Sequence, residues 1–135
     1  MALPVANLVL AAYMTGAIWV VQAVHYPLFA AVGRAGWAEY EAAHRRRITP
    51  VVGPVMLAQT GVAAALAVRD PGVPATLNLA LVGGLLLATV TVFGALHERL
   101  GRRWDGVAHR RLLALNAVRA VAWTAQLAVA IALVP

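Results

Sequence analysis

Residues 5–24 read VANLVLAAYMTGAIWVVQAV, and nothing from Met1 to Gly33 is Asp, Glu, Lys or Arg. About 20 apolar residues in a helix are enough to cross the hydrocarbon core of a bilayer. A cleavable signal peptide would begin with a basic segment and carry a shorter apolar run, so this stretch reads as a retained first helix.

Three comparable stretches follow. Ile48 to Val68 is uncharged, and Thr49-Pro50 suits its start, with Thr as N-cap and Pro at the first helical position. Arg69-Asp70-Pro71-Gly72 ends it in a turn. A third run covers Ala75 to Leu96, and a fourth covers Leu112 to Val134 with Arg119 inside it. The chain is 62% hydrophobic and 12% charged, with a mean hydropathy of +0.79. Soluble domains carry about 25% charged residues, so an ordinary soluble fold is excluded. The hydropathy is also too continuous for a membrane β-barrel, whose strands alternate in and out. The expectation is one all-α domain over residues 1–135. It is a four-transmembrane-helix bundle with spans near 5–26, 49–68, 75–97 and 111–134. Trp37 to Arg47 then forms a separate short interfacial helix, with Trp37 and Tyr40 in the headgroup layer.

The net charge is +6, and all 11 basic residues are Arg. Nucleic acid is not the reason. The loop after the first span holds Arg34, Arg45, Arg46 and Arg47; the loop after the third holds Arg99, Arg102, Arg103, Arg110 and Arg111; the loop between holds Arg69 alone. Such asymmetry orients a membrane protein with its rich loops in the cytoplasm. A multi-pass protein of the inner (plasma) membrane with both termini outside is expected. No cysteine is present, which removes thiolate ligands, disulfides and Cys nucleophiles.

All four histidines fall at the arginine-rich ends of the spans: His25 closes the first, His44 precedes the second, His97 closes the third and His109 precedes the fourth. Thr15, Gln22 and His25 share one helical face, as do Thr49, Met56 and Gln59. The fourth span carries His109, Asn116, Arg119, Trp123 and Gln126 on one face. Lipid cannot solvate an Arg, an Asn and two Gln, so these groups face the bundle interior or a water-filled cavity. Arg119 lies roughly 10 Å into its span at 1.5 Å per residue. It could snorkel to the surface or hold an anion inside the bundle; Asn116 one turn earlier favours the shared pocket.

Glu41 and His44 stand three apart, the spacing with which carboxylate bundles bring two ligands to one metal. With His25, His97 and His109 they form a candidate set for iron, copper or zinc, with an open position for water or substrate. Haem b between two of the histidines is a further option. Each residue also has a plainer role: Glu41 can pair with Arg45, Asp105 can pair with Arg102 or serve the Asp105-Gly106 turn, and each His can bond a loop carbonyl or lipid phosphate.

His25-Tyr26-Pro27-Leu28-Phe29, the segment Tyr40 to Pro54, and Asn116-Ala117-Val118-Arg119 together resemble small four-helix bacterial membrane proteins of unknown function. That group is distantly similar to the anthrone-oxygenase-like integral membrane family. The resemblance implies an oxygen-dependent oxidation of a hydrophobic aromatic substrate, with His25, Asn116 and Arg119 as the residues that matter. The expected activity is therefore that of an oxidoreductase acting on a lipophilic small molecule from the bilayer. The alternatives are a transporter or channel subunit, or a small accessory subunit of a membrane complex. Beyond Gln126 the fourth span is Ala, Val, Ile and Leu, which suits a dead-end pocket better than a conduit. A homo-oligomer is left open.

Overall fold

The computed structural model describes all 135 residues and contains no strand. Four helical spans are long and apolar enough to cross a membrane: Ala2–Ala31, Trp37–Arg69, Val73–Arg102 and Gly106–Ala132. They pack as an all-α bundle. The second, third and fourth are longer than their apolar runs, because the arginine-bearing turns continue the helix beyond the hydrophobic stretch.

The first span is a composite. α1 (Ala2–Val20) passes through a π-helical turn, Val21–His25, into α2 (Tyr26–Leu28) and a 3-10 turn, Phe29–Ala31. Pro27 is the cause: it has no N–H for the Ala23 carbonyl, and its ring crowds that carbonyl, so the backbone widens just before it. Gly33, at φ 82°, then makes the turn that a Cβ would strain.

The second span corrects the expected separate interfacial helix. α3 (Trp37–Arg69) is one continuous helix with Pro50 and Pro54 inside it. Thr49 is no N-cap; its Oγ1 donates back to the Arg45 carbonyl at 2.8 Å. What holds Trp37–Arg47 in line is tertiary. Trp37 Nε1 donates to the Leu100 carbonyl at 2.6 Å, and Glu41 bonds His97. Trp37 is buried at 1% exposure, whereas a headgroup anchor would be wet.

The third span joins α4 (Val73–Ala88) to α5 (Gly94–Arg102) through a second π-helical turn, Thr89–Phe93. Thr89 and Thr91 donate their hydroxyls to the Leu85 and Leu87 carbonyls at 2.7 and 2.8 Å, which competes with the ladder and loosens it. α6 (Gly106–Ala132) is the fourth span, capped by Asp105, whose carboxylate accepts from Val107 N and Ala108 N at 2.9 and 3.0 Å.

Two apolar clusters fill the interior. Tyr26, Phe29, Trp37, Leu100 and Leu112 lie toward the arginine-rich end; Met14, Ile18, Met56, Leu85 and Trp123 lie in the middle.

Candidate functional site

The two π-turns position the site. The first brings Tyr26 inward, 3% exposed, and the second brings Phe93 inward, 5% exposed. Between them Tyr26 OH bonds His97 Nε2 at 2.9 Å, and His97 Nδ1 bonds Glu41 Oε1 at 2.7 Å. Three spans thus supply a carboxylate, an imidazole and a phenol in series. With Glu41 as the carboxylate, Nδ1–H donates to it and Nε2 accepts from the phenol hydroxyl. Glu41 is fully buried, and its Oε2 has no hydrogen-bond partner.

Arg119 is 8% exposed and has no carboxylate partner. Its Nε and Nη2 donate to Asn116 Oδ1 at 3.0 and 2.6 Å, and its Nη1 approaches Thr89 Oγ1 at 3.4 Å. Its Cζ lies 3.6 Å from the Phe93 ring centroid, a cation–π stack. Asn116 is itself oriented by donating to Gln22 Oε1 at 2.8 Å. The guanidinium is pinned by neutral groups, with its charge left uncancelled.

A cavity of about 230 Å³ lies among these groups. Tyr26, His44, Arg45, Thr49, Thr89, His97 and Arg119 are its polar lining; Met14, Ile18, Met56, Phe93 and Trp123 are among its apolar residues. It fits a small, mainly apolar molecule that carries an oxygen.

The candidate metal set does not assemble. No group of three or more His, Asp or Glu side chains is arranged to hold an ion. His97 has both nitrogens engaged, by Glu41 and Tyr26. His25 Nε2 and His44 Nδ1 bond each other directly at 2.7 Å. His109 stands apart and bonds the Tyr26 carbonyl at 2.8 Å through Nε2, anchoring the fourth span to the first. For haem b, two imidazoles would have to face each other across a macrocycle, and the His25–His44 pair is in direct contact. As placed in this structure, the five residues form no metal-holding group.

Other expectations shift as well. Glu41 pairs with His97 and not Arg45; Asp105 pairs with Arg99 at 2.6 Å, while Arg102 takes Glu98. The stripe Thr15, Gln22 and His25 is split by the first π-turn. Thr15 donates to the Trp123 carbonyl and Gln22 meets Asn116, but His25 turns to the second span and does not line the cavity. Asn116 and Arg119 do meet, Asn116 as the group that positions the guanidinium.

Tyr26 carries no sequence signal strong enough to single it out. Two more residues do: Asn7 and Asn78, lone amides in apolar runs. They bond each other reciprocally at 3.3 Å, Gln126 Nε2 donates to Asn78 Oδ1 at 2.8 Å, and Gln59 Nε2 donates to Gln126 Oε1 at 3.0 Å. All four amides are fully buried. They plug the end of the bundle opposite the arginines.

No family model, curated protein or solved structure matches this chain.

Proposed function

We propose that the protein is an oxidoreductase of the inner membrane that oxidises a lipophilic aromatic molecule with dioxygen, in the cavity bounded by Tyr26, His97 and Arg119. The observation that carries this reading is the Glu41–His97–Tyr26 series ending on a mostly apolar cavity beside an unpaired guanidinium. The arginine-rich loops would face the cytoplasm, with both termini outside.

The chemistry is proton abstraction from an activated methylene next to an aryl ketone. As the substrate C–H proton moves to the Tyr26 oxygen, the phenol proton moves to His97 Nε2. The Glu41 carboxylate stabilises the imidazolium that forms. Arg119 holds the ketone oxygen as it becomes an enolate, in a site where water does not weaken the attraction. The carbanion then reacts with dioxygen. One oxygen atom ends in the new carbonyl and the other in water, which balances a four-electron oxidation of CH2 to C=O. Asn116 and Gln22 keep the guanidinium aimed. The resemblance to anthrone-oxygenase-like proteins points to the same reaction class.

Anthrone is the direct probe. Protein in nanodiscs should convert it to anthraquinone with one dioxygen consumed per molecule, faster than empty nanodiscs. Tyr26→Phe and Arg119→Gln should each lower the rate by about 10²-fold or more. A rate equal to that of empty nanodiscs, or full activity in Tyr26→Phe, refutes the reading.

A further inference from the structure

Aromatic rings cover the bundle toward the arginine-rich end, while the cavity itself reaches the exposed Arg45 and Thr49 on the second span. Phe29 packs against Trp37 at 5.2 Å between ring centroids, Trp37 against Trp104 at 4.7 Å, and Trp104 against His109 at 4.9 Å. The amide cluster seals the other end. Two lateral approaches remain, one past Arg45, Ile48 and Thr49 beside the second span and one between the third and fourth spans.

On the outer surface of the bundle, at the depth of Arg119, a groove of about 340 Å³ runs between the third and fourth spans. Small residues, Ala80, Gly84, Ala88 and Ala122, are part of its lining, and Ala80 and Gly84 are exposed. Arg119 and Phe93 line both this groove and the inner cavity. The partition between lipid and site at this point is a single side-chain stack, guanidinium on ring. Phe93 closes the π-helical turn Thr89–Phe93, a piece of backbone whose hydrogen-bond register is already loosened.

We infer that this groove is the lateral entrance for a membrane-dissolved phenol or enol, with the Phe93–Arg119 stack as its door. It rests on the cavity reading above and adds the route and the ligand's head group. The charge supports that occupant: Arg119 has no acid to cancel it and faces the path, so an acidic oxygen on a lipophilic body is drawn to it. The groove is also built to be left open. A Cβ added at Gly84 meets nothing within 4 Å.

That last fact supplies the test, since Gly84→Leu fills the groove without a clash at its first atom. Ala80→Leu, one turn earlier on the same exposed rim, is a second plug. The probe is tritiated 4-dodecylphenol binding to the full chain in nanodiscs. Both plugs should slow association and dissociation together by about tenfold, with Kd within about twofold of wild type. Dodecylbenzene, lacking the oxygen, should compete at least about tenfold more weakly. Wild-type rates in both plugged variants overturn the entrance alone, as does slowing only by Ile48→Trp, at the cavity wall beside the second span. Quantitative disulfide-linked dimers of Gly84→Cys would show a second copy covering the groove, and would also overturn it. No binding by wild type would sink the cavity reading and the entrance with it.

Discussion

Arg119 lies eight residues beyond Arg111, roughly 12 Å along the helix. A cation at that depth persists only if the protein supplies what water would. Here the supply is one amide oxygen accepting two N–H groups, a threonine hydroxyl and an aromatic face. Hydrogen bonds to a charged group contribute about 1.5–3 kcal/mol each, so Asn116→Leu should lower stability by roughly 3 kcal/mol, read by steric-trap unfolding in bicelles. Asn116→Asp should behave differently. It keeps the acceptor and cancels the charge, so the fold is retained while anthrone turnover falls. Retained turnover in Asn116→Asp would mean that the free charge has no role. Glu41 is the mirror case, a buried carboxylate with one oxygen unsatisfied. Glu41→Gln preserves the shape but cannot stabilise an imidazolium, and should lower turnover by about 10²-fold with little change in substrate binding.

At the scale of helices, the deviations from regular geometry place the chemistry. Each π-turn has a local cause, Pro27 in one span and a pair of back-bonding threonines in the other, and each delivers an aromatic residue to the cavity. The start of α6 is ordinary by comparison and gives a clean pH test. Asp105 accepts from Ala108 N and lies beside the Arg99 guanidinium, and both hold its carboxyl below the usual carboxylate range. A depressed pKa in the folded state means the charge stabilises the fold above the unfolded value of 3.8. That contribution is lost as pH falls through the lower folded value. Asp105→Asn keeps a cap without the charge. The melting temperature of wild type should therefore exceed that of Asp105→Asn at neutral pH, and the gap should close on acidification below about pH 4. A gap independent of pH would assign the effect to cap geometry alone.

For the molecule as a whole, the two ends of the bundle do different work. The arginine-rich end holds the Glu41–His97–Tyr26 series and an aromatic cover. The opposite end holds four amides, one from each span, bonded in a chain that leaves only Gln59 Oε1 without a donor. Interhelical hydrogen bonds inside a bilayer contribute modestly, so Gln126→Leu should reduce stability by roughly 1–2 kcal/mol, with no gain of ion flux in liposomes. A large flux would make the cluster a gate and favour a channel. The absence of native cysteine makes orientation easy to measure. Single cysteines at Ala2 and Val134 should react with an impermeant maleimide on intact spheroplasts, and cysteines at Arg46 and Arg103 should react only after lysis. The reverse pattern would invert the topology.

Local physics determined the helices themselves, because a run of 20 apolar residues has few other stable arrangements and the arginines mark its ends. It also located the polar stripe of the fourth span, since Asn116, Arg119 and Gln126 have to face inward wherever lipid surrounds the bundle. Glu41 and His97 were visible as chemically competent residues, but their pairing was not, because Glu41 had a near partner in Arg45 four residues on. Choosing between Arg45 and His97 depends on the third span lying beside the second, a long-range fact. The same holds for the second helix: Thr49-Pro50 satisfies the local rules for a start, yet the docking of Trp37 on Leu100 keeps the helix running through it. His25 was drawn toward the wrong neighbours by a regular 3.6-residue count, which one wide turn before Pro27 displaces. What only the tertiary structure decided is which buried polar groups satisfy each other. In a medium without water, that choice is made by whichever partner the packed helices bring within reach.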